Sequence, residues 1–347
     1  MANELLKEGG PHKVKNIGRD RYELSISVPR DSDGRIAREC LSKKCSPGYF
    51  KVKLGTGITK DQETAFCPYC RYSSDPKDFA TQEQIRYAKD VVMREVHQGA
   101  QKMIHDAFGL GSSGRRKIGS GFISMELSYK PGSLPHVWRP VEEELKRDVI
   151  CPNCGLDHSV YGLATWCADC GADIFLTHLE SELDVVKIML NDVDRRHEQL
   201  GVRVAAKDLE NSLEDVVSIF EAALKALISR YLNSKEIPDD DVDAILRKKI
   251  GNAFQSISRT KEVFKNALDF DAFGGLNDEN INLLNQIFEK RHPITHNLGV
   301  VDKKYLERVR SAEKEGHEIR VTKSDIEKAI TFSFETLKFI HGRLFPL

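Results

Sequence analysis

Cys151-Pro-Asn-Cys154 and, twelve residues further on, Cys167-Ala-Asp-Cys170, each followed by a glycine, decide how the first half of this chain must fold. A structural zinc ion takes four thiolates at tetrahedral angles, and a two-residue gap lets both sulfurs of one tight turn reach the same ion. Two such turns close a site. Gly155 and Gly171 relieve the backbone where it bends around the metal. Buried free thiols, the plainer alternative, give no reason for a glycine after both turns. The other four cysteines pair too, as Cys40 with Cys45 and Cys67 with Cys70, so none of the 8 is left over.

The second quartet resembles a zinc ribbon over about 25 residues. The first is looser, with four residues inside Cys40-Leu-Ser-Lys-Lys-Cys45 and 21 more before Cys67-Pro-Tyr-Cys70. That last motif is also similar to a glutaredoxin redox site, in which a thiolate is activated at a helix N-terminus. A redox motif of that kind follows a strand near the start of a small domain, whereas here an unspent cysteine pair lies upstream. His12, His97, His136 and His158 are potential substitute ligands, but eight cysteines already fill two sites. The expectation is two Zn2+ ions, both structural, because neither site keeps an open coordination position. The segment Met1 to Gly10 lacks the apolar core of a secretory signal, and no run approaches a membrane span. A cytoplasmic, reducing location is therefore expected, without membrane contact.

At 347 residues the chain is expected to hold two or three domains. Residues 20–30 alternate apolar and polar and predict a strand leading into the first ribbon. Thr81 to Phe108 predicts one helix, stopped by Gly109. A Gly/Ser stretch follows that contains Gly109, Gly111 and Gly114 in a G-x-G-x-x-G spacing. It closes a helix rather than opening one, so it reads as a flexible basic loop and not a dinucleotide fingerprint. Strands are expected over 122–130 and 141–150, then a helix from Glu180 to Gly201. Beyond Asp208 the periodicity is helical: Asn211 with Glu214 imitates a capping box, and the Pro238 region restarts a helix running to about Leu268. Further starts are expected at Asn277 or Asp278 and at Thr322 with Asp325. The implied units are 1–108, the loop 109–121, 122–178, a connecting helix 179–208, and an antiparallel bundle 209–347.

Within the bundle stands Arg291-His-Pro-Ile-Thr-His296-Asn297. This resembles the HEPN superfamily, whose signature is an arginine, a polar residue and, after four to six residues, a histidine. Asn297, Gly299, Val301, Asp302 and Tyr305 continue the likeness. The fold class is thus expected to be multidomain α+β, with an N-terminal zinc-ribbon and β region carrying a long helix and a C-terminal all-α, HEPN-like bundle. Residues five apart on an unbroken helix point about 140° away from each other, so Pro293 is expected to break the helix and bring Arg291 and His296 together. The plainer alternative is a helix-capping pair.

The resemblance implies metal-independent RNA cleavage by a homodimer, with Arg291 on the phosphate, His296 moving a proton and His292 orienting either His296 or the phosphate. An endoribonuclease of the toxin or phage-defence kind follows, in which the ribbons recognise substrate and a regulatory protein or antitoxin is a further partner. The competing class is a non-catalytic sensor or adaptor that dimerises through the bundle. Formal charge sums to -1. Residues 1–150 carry 26 basic against 20 acidic side chains, or +6, and residues 151–347 carry 26 against 33, or -7. Nucleic-acid contact is therefore expected on the first half, at Arg115, Arg116 and Lys117.

Overall fold

The structure, a computed structural model, describes residues 5–346 apart from Asp20, Lys44, 120–123, Lys146 and 310–312; at 239, 240, 243 and 249 it describes the backbone alone. In chain order, β1 (Lys15–Asn16) pairs with β2 (Tyr22–Glu23). Next come β3 (Arg35–Glu39), β4 (Tyr49–Lys53), β5 (Ala65–Phe66) and β6 (Ser73–Ser74). Helix α1 (Gln82–Ala107) starts from a capping box in which the Thr81 hydroxyl accepts from the Gln84 amide, and its chain direction changes at Gly109 (φ 55). Then follow β7 (Arg115–Ile118), β8 (Met125–Ser128), β9 (Arg147–Ile150) and β10 (Asp157–Val160). From there the chain is helical: α2 (Phe175–Leu200), α3 (Val202–Ser234), α4 (Asp239–Ala244), α5 (Ile257–Leu268), α6 (Asp278–Glu289), α7 (Arg291–Asn297), α8 (Lys303–Arg308) and α9 (Lys323–Leu344).

The two ribbons are not separate units. Their hairpins lie side by side in one antiparallel sheet of order β3-β4-β10-β9, with Val52 opposite His158 and Phe50 opposite Val160. One core of Phe50, Val52, Phe79, Leu156, Val160 and Ile174 fills the space beneath. Two bonds extend the pairing to the outer cysteine turns. The Phe66 amide donates to Ala168 O at 2.8 Å, and the Trp166 amide donates to Pro68 O at 3.1 Å. Each aromatic precedes the first cysteine of its turn, and each acceptor follows the first cysteine of the other turn. The relation is a local two-fold between segments exactly matched at Phe66-Cys67 and Trp166-Cys167.

The same symmetry places the residue after each turn on the partner's aromatic ring. The Arg71 guanidinium lies 4.2 Å from the Trp166 ring centre, and a Cβ on Gly171 would come within 3.0 Å of the Phe66 ring. Both residues are left-handed, at φ 62 and 65. Gly171→Ala therefore meets a backbone penalty and a ring at once. It is expected to destabilise the ribbon unit by about 2 kcal/mol, read as a lower melting temperature of the metal-loaded protein. An unchanged melting temperature would remove this contact from the account.

Several expectations change. Of 20–30 only Tyr22–Glu23 is strand; the rest finds no neighbouring strand, and the ribbon hairpin begins at Arg35. Among the described residues of 141–150 only Arg147–Ile150 is strand; Glu142 instead reaches Lys51 at 3.4 Å. Within the 109–121 loop, Arg115–Ile118 is a strand paired with Met125–Ser128. Asp20, 120–123 and Lys146, which these expectations also cover, lie outside the described residues.

The bundle begins earlier than residue 209, because Phe175, Leu179, Leu183, Val186 and Leu190 of α2 belong to its core with Phe220, Leu224, Phe288 and Leu337. Gly201 (φ 90) divides α2 from α3, and Asn211 sits inside α3, where the neighbouring Ser212 hydroxyl donates to Asp208 O. The 238–268 helix is interrupted by a wide turn over Ile245–Ile250 and by Gly251 (φ 49). Ribbons and bundle meet at Trp166. Arg230 of α3 lies 4.0 Å from the Trp166 ring centre and pairs with Asp173 at 2.6 Å, while His341 of α9 reaches Asp173 at 2.9 Å. Burial opposes ionisation of Asp173, but bonds from His341, the Phe175 amide and Arg230 prevail and hold its carboxyl down at about 2.

Candidate functional site

Each cysteine turn sits where a hairpin ends. Cys40 and Cys45 lie in the β3–β4 connection, Cys67 and Cys70 between β5 and β6, and Cys151 and Cys154 between β9 and β10. Cys167 and Cys170 lie within the bridge of Trp166 to Asp173. Three turns share one bonding pattern. The amides of Cys67, Cys151 and Cys167 donate to Tyr72, Leu156 and Ala172 carbonyls, which closes the loop and aims both sulfurs inward.

The result is two four-thiol groups, Cys40/Cys45/Cys67/Cys70 and Cys151/Cys154/Cys167/Cys170, with all sulfurs of a group within 4.8 Å of one another. The closest Sγ–Sγ separations are 3.6 Å in the first (Cys40–Cys70 and Cys45–Cys67) and 3.5 Å and 3.7 Å in the second (Cys154–Cys167 and Cys151–Cys170). A tetrahedron with metal–sulfur bonds of about 2.3 Å has edges of about 3.8 Å, whereas a disulfide needs about 2.05 Å. Both groups fit a metal ion. Burial pushes the Cys154 thiol up to about 11. Asn153 Nδ2 donates to Cys170 Sγ at 3.4 Å and the Asp169 amide to Cys167 Sγ at 3.4 Å. The redox geometry for Cys67-Pro-Tyr-Cys70 is absent: α1 starts at Gln82, and both sulfurs face the Cys40/Cys45 pair.

His158, on β10, joins neither group. It is wholly buried, and neither ring nitrogen has a hydrogen-bond partner. Burial, with His178 nearby, lowers its pKa to about 4. Above pH 6.5 the imidazole is neutral in both folded and unfolded chains; between 6.5 and 4 only the unfolded chain takes the proton. Stability is therefore full above 6.5 and falls by about 3 kcal/mol as the pH drops to 4. Urea unfolding at neutral and at mildly acid pH should show this loss in the wild type and a smaller one in His158→Leu. Equal losses in both would clear His158 of the effect.

The bundle site is built around α7. Helix α6 ends at Glu289 with Lys290 still right-handed, so the bend precedes Arg291 rather than following it. Pro293 is accommodated in the first turn of α7, and Arg291, His292 and His296 share one short helix. Leu298 (φ 51) and Gly299 (φ 83) end that helix, the Gly299 amide donating to Pro293 O at 2.8 Å. Asn297 Nδ2 donates to Val300 O, Asp302 caps α8, and Tyr305 is buried. These positions shape the turn.

Four residues apart, His292 and His296 lie on one helix face with ring centres 5.0 Å apart and planes tilted by 54°. Arg291 takes another direction: Nη2 donates to Gln255 Oε1 at 2.7 Å, and Nη1 lies 3.6 Å from Glu214 Oε2. Arg291 and His292 line a cavity of about 430 Å³ together with Arg259, Arg308, Ser256 and Ser258, whereas His296, one turn beyond His292, is exposed and lies outside that lining. Arg308 pairs with buried Glu289 at 3.1 Å. Burial, then the positive charges of Arg308 and Lys304, hold His292 below its ordinary range against the opposing Asp302. Gln255, Arg259 and Arg308 come from the α5 start and from α8, and no spacing in the chain marks them.

The three basic residues of the first half separate. Arg115 and Lys117 face one side of β7, with Arg115 3.7 Å from Glu126. Arg116 faces the other and donates to Phe108 O at 3.0 Å, closing the end of α1. Among the described residues no helix is long and apolar enough to cross a membrane. No protein-family model, no curated protein and no solved structure matches this chain, so the functional reading stands on the geometry alone.

Proposed function

We propose that the bundle is a metal-independent endoribonuclease and that the two four-thiol groups hold structural zinc. The observation that carries the first part is the His292–His296 pair, 5.0 Å apart, at a cavity lined by Arg259, Arg291 and Arg308. Neutral His292 takes the proton of a ribose 2′-hydroxyl, whose oxygen attacks phosphorus. The bond to the 5′-oxygen breaks, and protonated His296 supplies that oxygen's proton. Arg291 and Arg308 balance the charge of the five-coordinate phosphate. The products are a 2′,3′-cyclic phosphate and a 5′-hydroxyl, and DNA is left intact. In this reading two chains pair across α7, where Leu298 stands 88% exposed next to the histidines. Zinc is favoured for the thiol groups because four sulfurs at tetrahedral spacing suit that ion and leave no vacancy for catalysis.

RNA incubated with the full chain in EDTA, with bound zinc assayed in parallel, tests the proposal. Cleavage with cyclic ends, lost in His296→Ala, is expected. RNA that stays whole while still binding the protein would overturn it.

One observation favours a second reading. Glu214 pairs with Arg291 and accepts from the Thr295 hydroxyl, so an acid already neutralises the arginine. In a non-catalytic adaptor that pairing is simply structural. In the nuclease it is a restraint, and Glu214→Gln raises the cleavage rate.

A further inference from the structure

The larger basic cleft lies elsewhere, between α1 and the β7–β8 hairpin, and encloses about 690 Å³. Its floor is one stripe of α1, Gln98, Gln101, Lys102 and His105, at the i, i+3, i+4, i+7 spacing that puts side chains on one helix face. Its other wall is the hairpin, which contributes Arg115, Tyr129 and Lys130 with the hydroxyls of Ser112 and Ser113. Among the described residues no acidic side chain lines it. Among the described residues neither Lys102 nor Lys130 has an ion pair, and Arg115 meets only Glu126, at 3.7 Å with its side chain 68% exposed.

The walls are tied together rather than merely adjacent. Gln101 Nε2 donates to Gly132 O at 2.8 Å, His105 Nε2 donates to Gly111 O at 3.1 Å, and Arg116 anchors the hairpin to Phe108 O. Gly114 (φ 70) lets the hairpin close, with the Tyr129 amide donating to Gly114 O at 3.0 Å; a Cβ there would come 2.8 Å from Tyr129 O. Tyr129 is thereby held at the cleft, half-buried.

We propose that this cleft binds a single-stranded nucleic acid, with phosphates on Lys102, Arg115 and Lys130 and a base against Tyr129. Cations without acids attract any polyanion. The aromatic ring, and amides and hydroxyls able to donate and accept at base edges, favour a nucleic acid over an acidic peptide. A fixed cleft with a ring in its wall suits unpaired bases, which a duplex keeps stacked inside. The cleft also lies in the half of the chain with the +6 excess. Binding here needs no cleavage at α7, so it stands apart from the nuclease reading.

A short fluorescent 2′-O-methyl oligouridine, which has no free 2′-hydroxyl to attack, separates the two questions. Its affinity for the full chain is measured by anisotropy across a salt series. Lys102→Gln combined with Lys130→Gln is expected to flatten the slope of log affinity against log salt by about 1.4, since each phosphate contact on a single strand contributes about 0.7. Tyr129→Ala is expected to weaken binding about tenfold, and Tyr129→Phe to retain it. Circular dichroism confirms that each variant is folded. An unaltered salt slope in the lysine double variant overturns the site. Displacement of the probe by poly-glutamate as readily as by unlabelled oligouridine overturns the assignment to nucleic acid.

Discussion

Removing the metal from either cysteine quartet should unfold both ribbons together and leave the helices of the bundle standing. The ribbon core is small and counts Cys67, Cys151 and Cys167 among its buried members. A structural zinc ion contributes about 10–16 kcal/mol at neutral pH, against a total of about 5–15 kcal/mol for a typical domain, so this core does not survive its loss. The quartets are also coupled, since Phe66 bonds to Ala168 and Trp166 to Pro68 across the local two-fold. Collapse of one turn frees the amide and carbonyl that hold the other. The bundle has its own core from Phe175 to Ile340 and needs no thiol. Chelator titration should therefore release two ions in one transition, coincident with a change in Trp166 fluorescence, while most of the far-ultraviolet helical signal persists. Cys167→Ser should retain far less than one ion per chain. A variant that keeps a full equivalent would show that the quartets are independent.

The second large effect is expected at α7. If the bundle is the nuclease proposed above, Arg291→Ala should lower single-turnover RNA cleavage about 10²–10³-fold, because the proposal gives the guanidinium the charge that grows in the transition state. Arg291→Lys should recover little, as an ammonium cannot bond two phosphate oxygens in a plane. His292→Ala and His296→Ala should each cost about 10²–10⁴-fold. The rate should rise with pH through a value below 6.5, because burial and Arg308 favour the neutral base form of His292. Arg308→Gln should move that limb toward higher pH by removing a positive neighbour. Cleavage undiminished in His296→Ala, or a pH limb unmoved in Arg308→Gln, would contradict these assignments.

Local order was legible wherever one residue type has one dominant use. Thr322 caps the last helix as its spacing to Asp325 implies and Asn277, one of two candidates, caps α6, because a cap needs only its own first turn; the Thr81–Gln84 box shows the same economy. The same logic misled at Asn211, whose cap-like spacing lies inside a helix already started at Gly201. Burial of Leu213, Val216 and Val217 against α2 outweighs a local preference of about 1 kcal/mol. At Pro293 the sequence marks a disturbance but not its side. The helical break falls at Lys290, before Arg291, so Arg291, His292 and His296 share one short helix, on which His296 stands one turn from His292 and is not brought to the arginine.

By itself the sequence determined that eight cysteines form two quartets, since four thiols at tetrahedral spacing leave few other uses for such gaps. It also determined that the chain divides into a small-sheet half and a helical half, because hydrophobic period is a local property. Only the tertiary structure decided that the two ribbons share a sheet, that α2 belongs to the bundle, and that Arg259 and Arg308 face Arg291. These are contacts between residues far apart in the chain. They arise from the burial of faces against each other, and no spacing within either partner encodes which face its neighbour will offer.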